Sequence, residues 1–495
     1  MADVAPPVYT PRAPPEATPS ASSGATPSAA ALPATLRVGG RMVKATLVDP
    51  EDVKVHLGLL RAFWELRQTV EVRLDARFPP FARTMHPEQR WAWFVTLAVE
   101  RFDRWSRVVT PRSDIRSWVA NEIPPLDVCM VWHAYLLNPQ RYAEDCNRIL
   151  PQFAVMRPGT MLAAVKHIGD ISAFVPPTSR KQSWLSDTRT QFDPFDSLQT
   201  MVSQALTCPQ CNAKLDVPYI TEDGKGYTQQ NFSTICQACR LEITKETLAV
   251  GNFTSTLAID HRDVMVLRRY RGAAFLPGTI RTPEVAEDGR RAERIKSLLL
   301  QTPLFALRRG VRPTPAEMGS SVQWSMDLIR KLPTVVKPRT LNRILSSYSD
   351  QRPFSVELVG AVLRQGTFVK KMQELGWTKP GYFDDQENSM AIVHAVVRYH
   401  AFLDLMSSST TSFFVPTLDI DLVWHTHQLF AVSYQVDCKK YVGRYIDHDD
   451  KVEETHLSNA FDLTCRAWNA RFNVPYMHCG CPLPGDTVGQ KLPKE

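Results

Sequence analysis

The chain has 495 residues and a formal net charge of +7, with 44% hydrophobic and 22% charged residues. This length accommodates two to four domains, and this composition is ordinary for a soluble globular protein. No apolar run approaches the roughly 18–20 residues that cross a bilayer. The composition therefore excludes a transmembrane segment and predicts a cytosolic or nuclear protein.

Residues 1–36 are rich in Ala, Pro, Ser and Thr and contain two acidic residues and one Arg. This pattern matches neither a secretory signal nor an Arg-rich transit peptide. Its composition cannot bury a core, so it predicts a disordered arm. A short disordered tail is expected at the other end, over residues 483–495.

The first folded region, residues 37–180, is predicted to be helical. Asp49 followed by Pro50 indicates the start of a helix, because Asp is a good N-cap and Pro a good first helical residue. Two further helices are predicted here, an aromatic one over Arg90–Val109 and a shorter one over Thr160–Ile168. Residues 171–199 contain two Pro-rich turns and predict a linker or a loop that crosses the surface.

Two C-x-x-C motifs follow, separated by 24 residues. Two such turns bring four thiolates around one zinc ion, each at about 2.3 Å from the metal. A thioredoxin-like redox motif would open a helix in a βαβ setting, which this pattern lacks. The six remaining cysteines show no disulfide framework, which fits a reducing compartment. The sequence thus predicts a small zinc ribbon over residues 200–250, with a structural Zn²⁺ held by Cys208, Cys211, Cys236 and Cys239.

The connecting segment, residues 251–345, is basic. Between Arg262 and Arg343 it holds seventeen Lys or Arg against seven Asp or Glu. Such an excess suits RNA or another anionic surface, whereas the ordinary alternative is a solvated helical face. The charges fall in short clusters rather than in a stripe interleaved with aromatics, namely Arg268-Arg269-Tyr-Arg271, Arg290–Lys296, Arg308-Arg309 and Arg330-Lys331.

A 23-residue stretch occurs twice in the chain, as Pro124–Cys146 and as Pro416–Cys438, at a constant offset of 292 residues. Both copies share a Leu-Asp…Val-Trp-His frame with a trailing Tyr…Asp-Cys, which indicates an internal duplication. Each copy has the apolar spacing of a helix and follows an aromatic helix, so the repeating unit is predicted to be a helix pair. The second copy belongs to a C-terminal helical repeat over residues 346–482.

The second copy offers metal ligands. Asp421 and His425 are four residues apart and share a helix face, whereas His425 and His427 point in nearly opposite directions. With His448 they make a possible second site of two histidines and one carboxylate. The alternative is structural, with Trp in the core and His133 or His425 satisfying a buried hydrogen bond, for example to the repeated Asp. We expect the structural role, with both histidines buried beside an acidic or backbone acceptor and away from any open cleft.

Three stretches carry a resemblance to a known family: PTLDIDLVWHTHQL at Pro416–Leu429, YIDHDDKVEE at Tyr445–Glu454, and FSVELVGAVLRQGTFVKKMQELGW at Phe354–Trp377. They resemble the plant and fungal glycine-rich domain-containing proteins, a family largely defined by an uncharacterised helical domain. The resemblance extends over roughly residues 45–480. The chain departs from the family pattern in two ways. It lacks the glycine-rich tail, and its C-terminal Cys cluster is shortened to His478-Cys479-Gly480-Cys481. It implies a helical fold and a loose association with plant development and stress, but no established reaction.

Together these features predict a mainly α protein, with a duplicated helical repeat and an inserted small β zinc ribbon. The two Trp-His helices are expected to lie against each other around a pseudo-twofold axis. The predicted function is an intracellular interaction or scaffold protein with an unknown protein partner and no assigned catalytic residue. The alternative is a metal-dependent enzyme that uses Asp421, His425 and His448. A nucleic-acid-binding protein that uses residues 262–343 comes third.

Overall fold

Helices form most of the chain, as the sequence predicts. The computed structural model describes residues 32–259, 274–280, 285–307, 310–334, 336–448 and 454–477. From Pro33 onward the chain forms one compact unit. Within the described parts, no helix is long and apolar enough to cross a membrane.

The N-terminal part opens with a short antiparallel hairpin in which Leu36 pairs with Val43. A helical region follows, and α1 continues into a π-helical turn at Thr69–Arg73. Its elements are β1 (Leu36–Val38), β2 (Arg41–Val43), α1 (Pro50–Gln68), α2 (Pro80–Thr84), α3 (Pro87–Ser106), α4 (Ile115–Asn121), α5 (Leu126–Leu136), α6 (Pro139–Arg148), α7 (Pro151–Ala154), α8 (Thr160–Ile168), α9 (Thr178–Thr188) and α10 (Pro194–Ser197).

The predicted start of α1 is confirmed. The Asp49 side chain accepts a hydrogen bond from the Glu51 amide at 2.9 Å, and Pro50 is the first helical residue. An Asp at this position satisfies an amide that the helix itself leaves without a partner. Helix α8 also has its predicted bounds, Thr160–Ile168.

The prediction of a linker or a surface-crossing loop at residues 171–199 is wrong. This segment folds into α9 and α10, and α9 buries Trp184 and Arg180. The guanidinium of Arg180 donates to the carbonyl oxygens of Ile123 at 2.9 Å and Glu122 at 3.1 Å. Prolines that indicate a loop in sequence here begin helices instead, because Pro is well suited to a first helical turn.

The middle of the chain holds two hairpins followed by helices that share a hydrophobic cluster. In that cluster Phe253 of α11 packs beside Phe305 and Tyr348. The elements are β3 (Ser203–Thr207), β4 (Lys214–Pro218), β5 (Thr234–Ile235), β6 (Glu242–Ile243), α11 (Lys245–Ala258), α12 (Val285–Leu300), α13 (Pro315–Ser321), α14 (Met326–Arg330) and α15 (Pro338–Leu345). Strands β3 and β4 pair antiparallel, as do β5 and β6.

The C-terminal part returns to the first helices. Its elements are α16 (Leu358–Glu374), α17 (Gln386–Ser408), α18 (Leu418–Gln428), α19 (Ala431–Asp437) and α20 (Glu454–Phe472). Helix α16 packs on α1, α3 and α5, and α18 packs on α17. The two Trp-His helices, α5 and α18, do not pack extensively on each other as we expected, and α1 packs against both of them instead.

A buried ion pair fixes the first turn of each Trp-His helix. In α5, Asp127 accepts from Nε of Arg101 at 2.7 Å, and both side chains are buried. In α18, Asp419 accepts from Arg398. The repeated Asp therefore pairs with an Arg of the preceding aromatic helix. It does not pair with the histidine, which is the pairing that the structural alternative suggested.

Other contacts also recur at the offset of 292 residues. The indole of Trp424 donates to the Tyr434 hydroxyl at 2.9 Å, and Trp132 lies 3.5 Å from the Tyr142 hydroxyl. A second contact recurs between residues ten positions apart. It joins the Tyr135 hydroxyl to Asp145 in the first copy and His427 to Asp437 in the second. These shared contacts agree with the predicted duplication.

Candidate metal centres

The four predicted zinc ligands converge. Their sulfur atoms all lie within 4.8 Å of one another. The sulfurs of Cys208 and Cys239 are 3.6 Å apart, as are those of Cys211 and Cys236. Separations of this size follow from tetrahedral bonds of about 2.3 Å to one ion. Cys208 and Cys236 are buried, whereas Cys211 is exposed.

The two cysteine turns have the same backbone design. The residue after each turn is left-handed, Asn212 at φ 61° and Arg240 at φ 63°. In each turn the amide of that residue donates to the carbonyl of the first cysteine. The amides of Cys239 and Ala238 lower the pKa of Cys236 to about 7, which favours the thiolate that a metal requires. Burial raises the pKa of Cys208, the first cysteine of the other turn, to about 12, so the two turns share a backbone geometry but not the same charge environment.

The cysteine ribbon, defined here as residues 203–243, packs against α11 through its first cysteine turn. A Cβ placed on Gly251 of α11 would lie 2.4 Å from Cβ of Pro209, so this close approach requires glycine. On another side, the Tyr227 hydroxyl donates to Asp350 at 2.9 Å. The ribbon is therefore part of the packed structure around α11.

A second cluster joins Asp421 and His425 of α18 with His448, which follows α19. Each offers one ligand atom, and these atoms lie within 4.8 Å of one another. Nε2 of His425 is 3.1 Å from Nε2 of His448 and 3.3 Å from Oδ1 of Asp421, while His448 Nε2 is 3.9 Å from the same oxygen. One helix supplies two ligands four residues apart, and the chain after α19 returns to supply the third.

Charge and hydrogen bonding prepare these groups for a cation. Burial opposes ionisation of Asp421, but the neighbouring His425 and His448 hold its pKa below the ordinary value. Nδ1 of His448 lies 3.0 Å from the carbonyl oxygen of Leu137. Because a carbonyl only accepts, the proton belongs on Nδ1, and the lone pair of Nε2 then faces the cluster.

The cluster forms one wall of a cavity of about 300 Å³. The Phe368 ring packs on His425 with centroids 4.5 Å apart, and Trp424 lies beside His448. Two basic residues of α16, Arg364 and Lys371, also line the cavity. Arg364, Phe368 and Lys371 are spaced four and three residues apart, so they share one helix face.

The expectation for His425 is right on burial and wrong on the absence of a cleft. Its side chain is 2% exposed and lies 3.3 Å from an Asp421 oxygen, but the ring also lies at an open cavity together with His448. His133 differs. Its Nε2 lies 2.8 Å from Nε2 of His56, whose Nδ1 contacts the Thr426 hydroxyl at 2.9 Å. Its partner is thus a histidine of α1, and not the acidic or backbone acceptor that we expected.

The remaining candidate ligands do not join the cluster. His427 points away from His425, as helix geometry predicts, and contacts the Tyr399 hydroxyl at 2.9 Å. The thiol of Cys129 lies 3.6 Å from the carbonyl oxygen of Pro124, so the first copy builds no equivalent site with His133. Residues 449–453 and 478–481, which hold further predicted candidates, lie outside the described residues.

The basic segment is described only in part, and Arg268, Arg269, Arg271, Arg308 and Arg309 lie outside the described residues. Of the others, Lys296 is buried and donates to the carbonyl oxygens of Thr256, Ile259 and Ala274, each at 2.7 Å. Lys296 therefore stabilises the fold and is not a surface charge for RNA. Arg290 and Arg294 are exposed one turn apart on α12, and Arg330 pairs with Asp327.

The sequence does not single out several residues that shape the site. Arg101 and Arg398 lie within the aromatic helices. A charged residue in such a helix is expected to face solvent, but both side chains are buried. The spacing of Arg364, Phe368 and Lys371 marks one helix face, but nothing local shows that this face meets α18. His56 likewise gives no signal, because its partners are distant in sequence.

Part of the chain is similar to known proteins. Residues 334–437 match the family model described as Glycine-rich domain-containing protein-like. Over 139 residues the chain is 35% identical to Glycine-rich domain-containing protein 2 of Arabidopsis thaliana and 33% identical to Glycine-rich domain-containing protein 1 of the same plant. Each match covers 26% of this chain and 16% of the relative. No solved structure matches the chain.

Proposed function

Through residues 334–437 the chain belongs to the glycine-rich domain-containing protein-like family, and we propose that Asp421 and His425 of this stretch, together with His448 beyond it, build a divalent metal site for catalysis. The observation that carries the proposal is the convergence of Asp421, His425 and His448 at the wall of an open cavity. The tetracysteine site of the ribbon is proposed to hold a structural Zn²⁺.

The two sites differ in what they leave open. Four thiolates complete a tetrahedron, so the ribbon site has no position for a substrate. Two histidines and one carboxylate leave at least one position open on zinc and more on an octahedral ion such as iron. An open position beside a cavity of about 300 Å³ allows a substrate or a water molecule to reach the ion.

The residues of the cavity indicate how a substrate would be held. Arg364 and Lys371 line the cavity together with two carboxylates, Asp421 and Asp447, so polar groups of both signs can hold a substrate. Phe368, Phe413 and Trp424 give apolar contacts. A bound metal would polarise a coordinated oxygen, while the charged and aromatic walls of the cavity orient the substrate.

Cobalt spectroscopy of the full chain tests the proposal, because Co²⁺ replaces zinc and reports its ligands. We expect an intense thiolate charge-transfer band from the ribbon and weaker ligand-field bands from the second site. His448→Ala should remove the weaker bands alone, and Cys239→Ser should remove the thiolate band. The exposed His167 provides a control, and His167→Ala should change neither. If His448→Ala leaves the whole spectrum unchanged, the second site is not a metal site, and the scaffold prediction is preferred.

A further inference from the structure

A second cavity, of about 260 Å³, lies where the two copies of the repeat meet. The first copy contributes Trp132 and Tyr142, and the second contributes Gln428 and Leu429. Among the described residues, this cavity and the proposed metal cavity share no lining residue. It is therefore a separate place for a ligand, which we name the inter-repeat cavity.

Gln428 is the last residue of α18, and its side chain is 0% exposed. Within the described parts of the chain, neither Oε1 nor Nε2 of its amide has a hydrogen-bond partner. A buried amide without partners is unfavourable, because it loses the hydrogen bonds that water gives it in the unfolded chain. Gln428 is among the residues that line the inter-repeat cavity, so a turn of its side chain would let a molecule in the cavity supply both missing hydrogen bonds.

The other walls define the kind of molecule. Trp132, Tyr142 and Phe153 line the cavity with aromatic rings, which suit a flat ligand. The thiol of Cys146 also lines it, and burial raises the pKa of this thiol, so the group is neutral. No carboxylate is found among the described lining residues, and the Arg157 side chain is exposed. An uncharged ligand meets no uncompensated charge here.

The shape of this region depends on a close contact between the end of the second copy and the N-terminal helical region. Phe430, two residues after Gln428, rests on Gly159, which has φ 72°. A Cβ placed on Gly159 would lie 2.3 Å from Cε1 of Phe430, so both the conformation and the contact require glycine. The end of α18 is thereby fixed against the N-terminal region, with Gln428 at the inter-repeat cavity.

We propose that the inter-repeat cavity binds a small, flat, uncharged molecule that carries an amide-like edge. The edge places a donor beside an acceptor, and the two pair with Oε1 and Nε2 of Gln428. The ring of the molecule contacts Trp132 and Tyr142. This proposal stands on Gln428 and the cavity and does not depend on the metal site.

Benzamide is a suitable probe, because it combines an aromatic ring with one amide edge. Acetophenone has a similar size and shape and keeps an acceptor but no donor. Binding of each to the full chain can be measured by saturation-transfer NMR with titration. We expect benzamide to bind at least tenfold more tightly than acetophenone, since a site built around hydrogen bonds rejects an analogue that lacks one.

Two variants complete the test. Gln428→Leu should remove the preference for benzamide while keeping or raising the melting temperature, since it replaces an unpartnered buried amide by an apolar group. Ala143→Phe, on another wall of the cavity, should weaken binding of both probes and decides the matter if Gln428→Leu does not fold. Equal affinities of the two probes for the unaltered chain would overturn the proposal. So would an unchanged affinity of Gln428→Leu for benzamide, or no benzamide binding at all.

Discussion

The imidazoles of His425 and His448 face each other, with their Nε2 atoms 3.1 Å apart. Oδ1 of Asp421 lies beside both, at 3.3 Å from the first and 3.9 Å from the second. His448 lies in a loop, and its Nδ1 contacts the carbonyl oxygen of Leu137. Leu137 is the C-cap of α5, the other Trp-His helix. The end of α5 therefore orients His448 towards His425 of α18, which links the two Trp-His helices at one cluster.

Zinc removal from the ribbon should unfold that region locally. Cys239→Ser removes one of four thiolates, and structural zinc sites supply folding free energy to the segment around them. We expect one zinc ion fewer per chain and faster amide hydrogen exchange over residues 203–243, with α17 and α18 unaffected. Cys465→Ser is the control, because this half-buried cysteine lies outside both clusters. Unchanged exchange in the ribbon of Cys239→Ser would contradict the assignment.

Breaking the buried pair of Arg101 and Asp127 should destabilise the fold strongly. Asp127→Ala leaves the Arg101 guanidinium buried without its carboxylate, which costs about 3–5 kcal/mol of unfolding free energy. Arg107 and Asp103 provide a matched surface pair at 2.8 Å, and Arg107→Ala should cost under about 1 kcal/mol because that side chain is 61% exposed. Urea denaturation measures both. Equal losses for the two variants would show that burial does not set the strength of the first pair.

Acid should destabilise the protein through His400. This ring is buried, accepts from the Leu47 amide at Nε2 and contacts the Val396 carbonyl at Nδ1, so it is held neutral. Burial lowers its pKa to about 4 from the ordinary 6.5. Between these two pH values the unfolded chain binds the extra proton, so stability falls as the pH falls, by about 3 kcal/mol in total for this group.

Urea denaturation at several pH values checks this account of His400. His400→Gln keeps an acceptor for Leu47 but does not titrate. The unfolding free energy of this variant should vary less steeply with pH, by about one proton between pH 4 and 6.5. Other buried histidines, such as His133, add their own slope to both proteins. Identical slopes for the two proteins would mean that His400 does not carry a depressed pKa.

Local signals predicted local structure well. The cap at Asp49 fixed the start of α1, and the spacing of Cys208, Cys211, Cys236 and Cys239 predicted a cluster that the fold does form. In both cases the residues that matter lie close in sequence or share a simple ligand geometry. The pairing of Asp421 with His425 was also available from their spacing on one helix face.

Contacts between distant segments could not be predicted in this way. The packing of Phe368 against His425 depends on how α16 meets α18, and no local pattern encodes that arrangement. The position of α1 between the two Trp-His helices has the same origin, and it explains why His56 and not an acidic group is the partner of His133. For the same reason the cavity beside His425 was not expected.

The most direct test of the proposed metal site is the number of metal ions per chain, measured by inductively coupled plasma mass spectrometry after loading with zinc and removal of excess metal. The unaltered chain should hold two ions, and His425→Ala should hold one while keeping its helical circular dichroism. Cys239→Ser should also hold one, which assigns the ions to separate sites. A single ion in both the unaltered chain and His425→Ala would contradict the account, since the cluster of Asp421, His425 and His448 would then hold no metal.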